Sequence, residues 1–104
     1  MKVSTRTEYG IRVLVTLARQ AGSGPLSLAG VAKAEKLPHA YLEQLVRELR
    51  RGGLVSATRG QAGGYQLALP ASEINMAYAV RILEGPGHFR RATQYRLGDF
   101  ADAR

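Results

Sequence analysis

The fold of this chain is decided by two stretches that lie close together, Tyr41-Leu-Glu-Gln-Leu-Val-Arg-Glu-Leu-Arg-Arg-Gly-Gly-Leu-Val55 and Arg59-Gly-Gln-Ala-Gly-Gly-Tyr65. In the first stretch apolar residues recur at helical spacing and a glycine pair follows, which predicts an amphipathic helix with a sharp C-terminal end. The second stretch predicts the basic, glycine-rich turn of a β-hairpin. A helix followed by such a hairpin is the outline of a winged helix-turn-helix.

The helix of the first stretch is predicted to run from about Pro38 to Arg51. Proline suits the first helical position, where its missing N–H costs no hydrogen bond. Four residues spaced at i, i+3, i+4 and i+7 define the core-facing stripe, namely Leu42, Leu45, Val46 and Leu49. The other faces of this helix are largely polar, so it is expected to lie with one side on the core and one side in solvent.

Two further helices are predicted ahead of it. The first covers about residues 5–21, because Thr5 and Glu8 have capping-box spacing and apolar residues then repeat at helical spacing. Its inner stripe is predicted to comprise Ile11, Leu14, Val15 and Ala18, widened by Leu17 and Ala21. The second covers about residues 28–35, with Ser27 as its N-cap. Its inner face is predicted to comprise Leu28, Val31 and Ala32.

Beyond the long helix, Leu54–Arg59 and Tyr65–Leu69 are predicted to form strands joined by a turn over Gly60–Gly64. A fourth helix is predicted over about Asn75–Leu83. Its inward residues are predicted to be Met76, Val80 and Leu83. The predicted fold class is therefore mainly α with a small β-hairpin wing, a winged helix-turn-helix.

The domain is predicted to cover residues 1–86, and residues 87–104 are expected to form a short basic C-terminal tail, either helical or disordered. A weak apolar stripe runs through that tail, interrupted by Gly98. Its members are Phe89, Ala92, Phe100 and Ala103.

The chain is small and basic. Its 104 residues favour a single domain. Fifteen Lys and Arg face eight Asp and Glu, giving a net charge of +7 and a pI near 10.4, which is typical of proteins that bind polyanions but is also common among small soluble proteins. The absence of cysteine excludes disulfides and thiolate-ligated metal sites within these residues. Because no apolar run approaches the roughly 20 residues of a membrane span, a soluble cytoplasmic protein without a membrane partner is expected.

The polar face of the long helix carries the candidate residues for reading DNA bases. Gln44 can bond adenine in bidentate fashion, and Glu43 can accept a hydrogen bond from cytosine N4. Tyr41 and His39 are candidates for phosphate or base contacts, and Arg47 lies on the same polar side. A plain structural explanation also exists, because surface helices are often rich in Glu, Gln and Arg, and Glu43 and Arg47 have the spacing of a stabilising ion pair.

The hairpin turn supplies the second group of candidates. Arg59 lies at its start, where a guanidinium can insert into a narrow minor groove. Gly60 and Gln61 follow in the turn, and its glycines permit close approach to a sugar–phosphate chain. The turn lacks the Lys-Ser/Thr pair of a P-loop and joins two strands, so it does not indicate a nucleotide-binding loop. It is equally compatible with an ordinary hairpin.

Catalysis finds little support in the sequence. His39 and His88 are far apart, and no serine has the surroundings of a nucleophile elbow. No metal-ligand spacing or paired carboxylates are present. The chain is therefore expected not to be an enzyme, and to require no cofactor and no small-molecule substrate.

Several motifs, in order along about residues 1–86, resemble those of one family. They are Ser4-Thr-Arg-x-x-Tyr-Gly10, Tyr41-Leu-Glu-Gln44, Leu49-Arg-x-x-Gly-Leu-Val55, Arg59-Gly-x-x-Gly-Gly-Tyr65, Glu73-Ile and Leu83-Glu-Gly85. The family is the Rrf-two (IscR/NsrR-like) group of bacterial winged-helix transcription regulators. The resemblance implies sequence-specific binding of promoter DNA as a homodimer. It places the contacts at Tyr41, Glu43, Gln44 and Arg59.

The chain departs from this family pattern in two places. Sensing members carry three cluster-binding cysteines after the fourth helix, and this chain has none. One branch also uses an acidic ligand near the start of the first helix, where Glu8 lies, but a capping role is expected for Glu8 and no cluster is predicted. Family members continue into a long helix that crosses the dimer partner, whereas a short, Arg-rich stretch that does not resemble the family follows Gly85.

The leading hypothesis from the sequence is a DNA-binding transcription regulator, of the repressor type, that works without an iron–sulfur sensor. The alternative is a winged-helix module for protein interaction that binds nucleic acid only weakly and without sequence preference. A third hypothesis, ranked last, is non-specific binding of RNA or of an anionic surface through the arginines.

Overall fold

A computed structural model of the chain describes residues 4–60, 63–84 and 95–101. The elements, in chain order, are α1 (Thr5–Arg19), α2 (Leu28–Glu35), α3 (His39–Arg51), β1 (Val55–Thr58), β2 (Gly64–Leu67), a 3-10 turn (Ala71–Glu73), α4 (Met76–Glu84) and α5 (Leu97–Ala101). The architecture confirms the predicted fold class, which is mainly helical with one antiparallel hairpin. No helix in these described ranges is long and apolar enough to cross a lipid bilayer.

Helix α1 is capped by Ser4 and not by the predicted Thr5–Glu8 capping box. The Ser4 hydroxyl accepts a hydrogen bond from the Thr7 backbone N–H at 3.1 Å, and Ser4 has the extended backbone of an N-cap residue. Thr5 already lies in the first turn, so Thr7 occupies the position that the prediction gave to Glu8. The capping-box prediction was therefore wrong by one residue.

The buried face of α1 is also rotated relative to the prediction. Leu14 and Leu17 are buried as expected, but Ile11, Val15 and Ala18 are only half-buried. Val13 and Gly10 are buried in their place, because α4 and α5 pack onto this side of the helix. A Cβ on Gly10 would lie 2.5 Å from the Leu83 side chain, so the glycine lets α4 approach closely.

The helix-turn-helix unit follows the prediction in its α2 cap and its α3 stripe, but in the predicted inner face of α2 Val31 is buried while Leu28 and Ala32 are half-buried. The Ser27 hydroxyl accepts a hydrogen bond from the Gly30 N–H at 3.0 Å, which confirms Ser27 as the N-cap of α2. The turn contains Lys36 in a left-handed conformation, with φ of 56°. Pro38 precedes α3 and is not its first residue. All four residues of the predicted α3 stripe are buried, namely Leu42, Leu45, Val46 and Leu49.

The hairpin is formed by β1 and β2, which pair antiparallel with Val55 opposite Leu67 and Thr58 opposite Gly64. Both strands are shorter than predicted, and Gln61 and Ala62 in the turn lie outside the described residues. The hairpin is fastened to the loop before α2, because Leu26 and Tyr65 exchange backbone hydrogen bonds of 2.9 and 2.8 Å.

The C-terminal part returns to the core of the winged helix. In α4 the buried residues are Ala79 and Leu83, whereas Met76 and Val80, predicted to point inward, are half-buried. Leu97 of α5 is fully buried in the same core.

The predicted apolar stripe of the tail is only partly described. Gly98 lies within α5 and does not interrupt a helix there, and Phe100 is exposed. Three positions of that stripe, Phe89, Ala92 and Ala103, lie outside the described residues.

Candidate nucleic-acid interface

The outer face of α3 presents a continuous set of polar side chains. Glu43, Gln44 and Arg47 are all exposed, because the neighbouring aliphatic residues face inward at helical spacing. The buried stripe fixes both the position of the helix and its rotation about its own axis. A hydrogen-bonding side chain on this face therefore projects from a rigid base, as direct reading of base edges requires.

Tyr41 differs from these residues because it is half-buried. Its ring packs edge-on against Tyr9 of α1, with the ring centroids 6.1 Å apart. The Arg12 guanidinium lies over the Tyr9 ring, 5.3 Å from its centroid. The Nε atom of Arg12 is 3.0 Å from Oε1 of Glu35. The Thr16 hydroxyl donates to the same Glu35 carboxylate. The position of Tyr41 is thus set by a chain of contacts from α2 and α1.

His39 is the exposed first residue of α3. The residue before it is Pro38, and no side chain caps the N-terminus of this helix. The first backbone N–H groups of an uncapped helix have no intrahelical acceptor, and together with the helix dipole they favour an anion such as a DNA phosphate. The start of α3 therefore suits a backbone contact better than a base contact.

The charge on α3 is mostly positive on its exposed side. Arg47, Arg50 and Arg51 are exposed, whereas Glu48 is half-buried and its Oε2 lies 2.8 Å from a guanidinium nitrogen of Arg6. The ion pair suggested by the spacing of Glu43 and Arg47 does not form between these two described residues. Both side chains are exposed.

The wing carries its candidates away from the core. Val55 at the start of β1 is buried, whereas Thr58, Arg59 and Gly60 are exposed. Gly60 has a φ of 106°, which favours glycine, and a Cβ on Gly63 would lie 2.1 Å from the Thr58 carbonyl oxygen. The turn thus depends on glycine at both positions, and it leaves Arg59 exposed at the end of the hairpin.

The predicted site residues fall into two groups on two elements. His39, Tyr41, Glu43, Gln44 and Arg47 share α3, and Arg59 and Gly60 share the hairpin, while Gln61 lies outside the described residues. The two elements are joined directly, because Leu54 N–H donates to Leu49 O at 3.0 Å across Gly52-Gly53. None of these residues was predicted to be catalytic.

Sequence reasoning missed the residues of α1 that support this surface, Arg6, Tyr9 and Arg12. A signal existed for one pair, since Tyr9 and Arg12 are three residues apart on a helix and so lie on the same face. Nothing local indicated Arg6, because its partners are on α3 and α4.

An iron–sulfur cluster, which sensing members of the resembled family carry, needs suitable donor atoms. The chain has no cysteine, and iron–sulfur clusters are held mainly by cysteine thiolates. Within residues 4–60, 63–84 and 95–101, no three His, Cys, Asp or Glu side chains are grouped as metal ligands. Glu8 is exposed on α1. The donor set of the described residues does not fit a cluster.

A helix-turn-helix whose second helix bears an exposed polar face, followed by a hairpin with an exposed arginine, defines the winged-helix class of DNA-binding domains. The family model that matches the chain, over residues 3–101, is Rrf2, described as an iron-dependent transcriptional regulator. The chain belongs to the Rrf2 family. Members of this family are transcriptional regulators and not enzymes.

Individual relatives agree with this assignment. The HTH-type transcriptional regulator CymR of Bacillus subtilis is 44% identical over 86 residues, which cover 83% of this chain and 62% of CymR. The HTH-type transcriptional regulator IscR of Cereibacter sphaeroides is also 44% identical over 86 residues, covering 81% of this chain and 56% of IscR. This chain therefore spans little more than half the length of these relatives.

Among solved structures, the oxidized form of Staphylococcus aureus CymR superposes with a TM-score of 0.85 at 33% identity, covering 100% of this chain and 98% of that chain. This likeness confirms the winged-helix fold.

Proposed function

We propose that this chain is a sequence-specific, DNA-binding transcription regulator of the repressor type that acts without an iron–sulfur sensor. The observation that carries the proposal is the exposed polar face of α3, held rigid by four fully packed aliphatic residues and continued by a basic wing. Membership of a family of transcriptional regulators supports it, and the net charge of +7 suits a polyanionic partner.

Each candidate residue has a proposed role. Gln44 and Glu43 read base edges in the major groove, and Tyr41 contacts a base or phosphate from its fixed position. His39, together with the uncapped start of α3, and Arg47 contact the phosphate backbone. On the wing, Arg59 reaches the minor groove, Gly60 allows close approach to the sugar–phosphate chain, and Gln61 contacts the DNA beside them.

The proposal includes binding as a homodimer, so that two copies of α3 read the two halves of a palindromic site. Helix-turn-helix dimers place their half-sites about one helical turn of DNA apart, which makes the spacing of the halves a geometric prediction. Sedimentation of the chain alone and with DNA measures the stoichiometry directly. Two chains per palindrome are expected, and one chain per DNA at saturating protein would contradict the dimer.

The test of specific binding compares affinity for a palindromic promoter site with affinity for the same bases in scrambled order. Both affinities are expected to fall with salt because phosphate contacts release counterions. Their ratio is expected to stay well above one, since base contacts add to the backbone contacts. Equal affinity for the two DNAs at every salt concentration would refute sequence-specific reading and favour a protein-interaction module.

A further inference from the structure

Arg6 connects three helices through a single side chain. Its Nε donates to the Leu83 carbonyl oxygen in the last turn of α4, at 3.1 Å, and a terminal nitrogen lies 2.8 Å from Oε2 of Glu48 on α3. The last carbonyls of a helix lack intrahelical partners, so Leu83 gains a donor that it would otherwise need from water. A rigid guanidinium fork can serve both partners at once, whereas lysine offers one nitrogen on a flexible stem.

The same junction has a reciprocal half at Glu84, the last residue of α4. The Glu84 carboxylate accepts hydrogen bonds from the Ser4 backbone N–H at 3.0 Å, from the Ser4 hydroxyl at 2.7 Å and from the Thr7 hydroxyl. The Glu84 carboxylate therefore lies at the N-terminus of α1, and the Arg6 guanidinium lies at the C-terminus of α4. Both placements are favourable for the helix dipoles. The start of α1 and the end of α4 are consequently locked to each other.

Glu48, the partner of Arg6 on α3, lies on the side of the helix that also carries Gln44 and Tyr41, two of the residues proposed to contact DNA. It follows Gln44 by four residues and Tyr41 by seven, which are about one and two helical turns. Tyr41 is itself held by Tyr9 of α1. Helix α1 therefore contacts α3 on both sides of Gln44, through the Arg6–Glu48 ion pair on one side and the Tyr9–Tyr41 aromatic contact on the other.

We propose that Arg6 is a positioning residue that couples the end of α4 to the reading face of α3, the exposed face that carries Glu43, Gln44 and Arg47. The inference rests on the proposed function, because the property it controls is the discrimination between DNA sequences. Glu84 fixes the start of α1 against α4, Arg6 transmits that position to Glu48, and Glu48 holds the flank of α3 that bears Gln44. A displacement of the end of α4 therefore shifts the position of the reading face.

The test measures the ratio of affinities for a DNA site selected by the wild-type chain from random sequence and for its scrambled version. Arg6→Gln is expected to lower this ratio about two- to fivefold, the range of a partly exposed ion pair that acts on geometry. Glu84→Gln, which weakens the contacts of the end of α4 to Ser4 and Thr7 at the start of α1, is expected to lower it in the same direction. In the Arg6→Gln background, Glu84→Gln should add nothing further.

Two comparisons separate positioning from simple charge. Arg81→Gln removes one exposed positive charge from α4 and is expected to leave the ratio unchanged. The double variant Arg6→Gln/Glu48→Gln removes the carboxylate that Arg6 had neutralised. Positioning predicts that discrimination stays reduced in this double variant, and full recovery would overturn the proposal. Thermal unfolding of each variant establishes that it is folded at the assay temperature.

A measurement without DNA keeps the inference separate from the proposed function. Backbone hydrogen exchange in Glu84→Gln is expected to accelerate in the second half of α3, around Arg47–Arg51, and to be unchanged in α2. Unchanged exchange in α3 would overturn the coupling even if the wild-type chain binds DNA specifically. If the wild-type chain fails to discriminate between DNAs but α3 responds, the proposed function fails and the coupling stands.

Discussion

The recognition helix α3 and the wing are held in place by different kinds of contact. Helix α3 rests on buried aliphatic side chains, whereas the hairpin is fastened by backbone hydrogen bonds between Leu26 and Tyr65 and by Gly64, whose Cβ would lie 2.5 Å from the Leu26 carbonyl oxygen. Side-chain packing tolerates exchanges of similar volume, but a contact between two backbones leaves no room for a side chain. The support of α3 therefore tolerates aliphatic exchanges of similar volume, while the wing depends on glycine at position 64.

The two regions also differ in what they offer to DNA. Helix α3 presents amide, carboxylate and guanidinium groups on a rigid base, which suits discrimination between bases. The wing presents Arg59 at the end of a short hairpin, which suits attraction to phosphates and to a narrow minor groove. We therefore propose that α3 supplies sequence discrimination and that the wing supplies mainly sequence-neutral affinity.

The largest effect is expected from removing the support of α3. Leu45 is 1% exposed, and Leu45→Ala leaves a cavity beneath the helix, so we expect a loss of about 2–5 kcal/mol in the free energy of unfolding. Urea unfolding measures it. Leu69→Ala, at a position 41% exposed, is the control and should change stability by less than about 0.5 kcal/mol. Similar losses in the two variants would contradict the assigned core.

The next effect separates the support of the wing from that of the helix. Gly64→Ala places a Cβ against the Leu26 backbone at a φ of 155°, so we expect a loss of stability of more than about 1 kcal/mol and weaker DNA binding. Gly22→Ala is the matched control, because Gly22 has a φ of 90° but open space around its Cβ position. If Gly22→Ala destabilised the chain as much as Gly64→Ala, the close contact with Leu26 would not be what fixes the wing.

Removing a reading side chain should change preference and leave stability alone. Gln44→Ala deletes an exposed side chain, and we expect discrimination at one base position to fall by about 1–3 kcal/mol if Gln44 makes a bidentate contact. Competition binding with DNA sites that differ at single positions measures the change. A variant that kept the full preference at every position would remove Gln44 from the reading face.

The smallest effect is expected at the wing arginine. Arg59→Ala should weaken binding to all DNA sequences by a similar factor and reduce the slope of log affinity against log salt by about one, because a guanidinium placed in the negative potential of the minor groove releases a counterion as a phosphate contact does. Affinity measured across a salt series on specific and scrambled DNA tests this. An unchanged salt slope would show that the Arg59 guanidinium does not lie against the DNA.

The helix-turn-helix was predictable because its signals are local. The buried stripe from Leu42 to Leu49 follows the period of a single helix, about 3.6 residues. The N-cap at Ser27 and the helix end at Gly52-Gly53 depend only on neighbouring residues. The exposure of Glu43, Gln44 and Arg47 follows from the same periodicity. Where the buried and exposed faces of a helix follow from its own periodicity, the sequence is sufficient to predict them.

The remainder depends on residues that are distant in sequence. The buried side of α1 is turned toward Gly10 and Val13 because Leu83 and α5 pack there. Arg6 meets Leu83 across 77 residues, and Leu26 pairs with Tyr65 to anchor the wing. Propensity and spacing do not encode such tertiary contacts, so the supports of the reading face become visible only in the fold.

The division of labour between α3 and the wing is tested most directly by selecting bound sequences from random DNA with three chains, the wild type, Gln44→Ala and Arg59→Ala. We expect a symmetric consensus for the wild type, the same major-groove consensus at lower affinity for Arg59→Ala, and loss of preference at one position of each half-site for Gln44→Ala. A consensus that survives in Gln44→Ala but disappears in Arg59→Ala would contradict the assignment of sequence reading to α3.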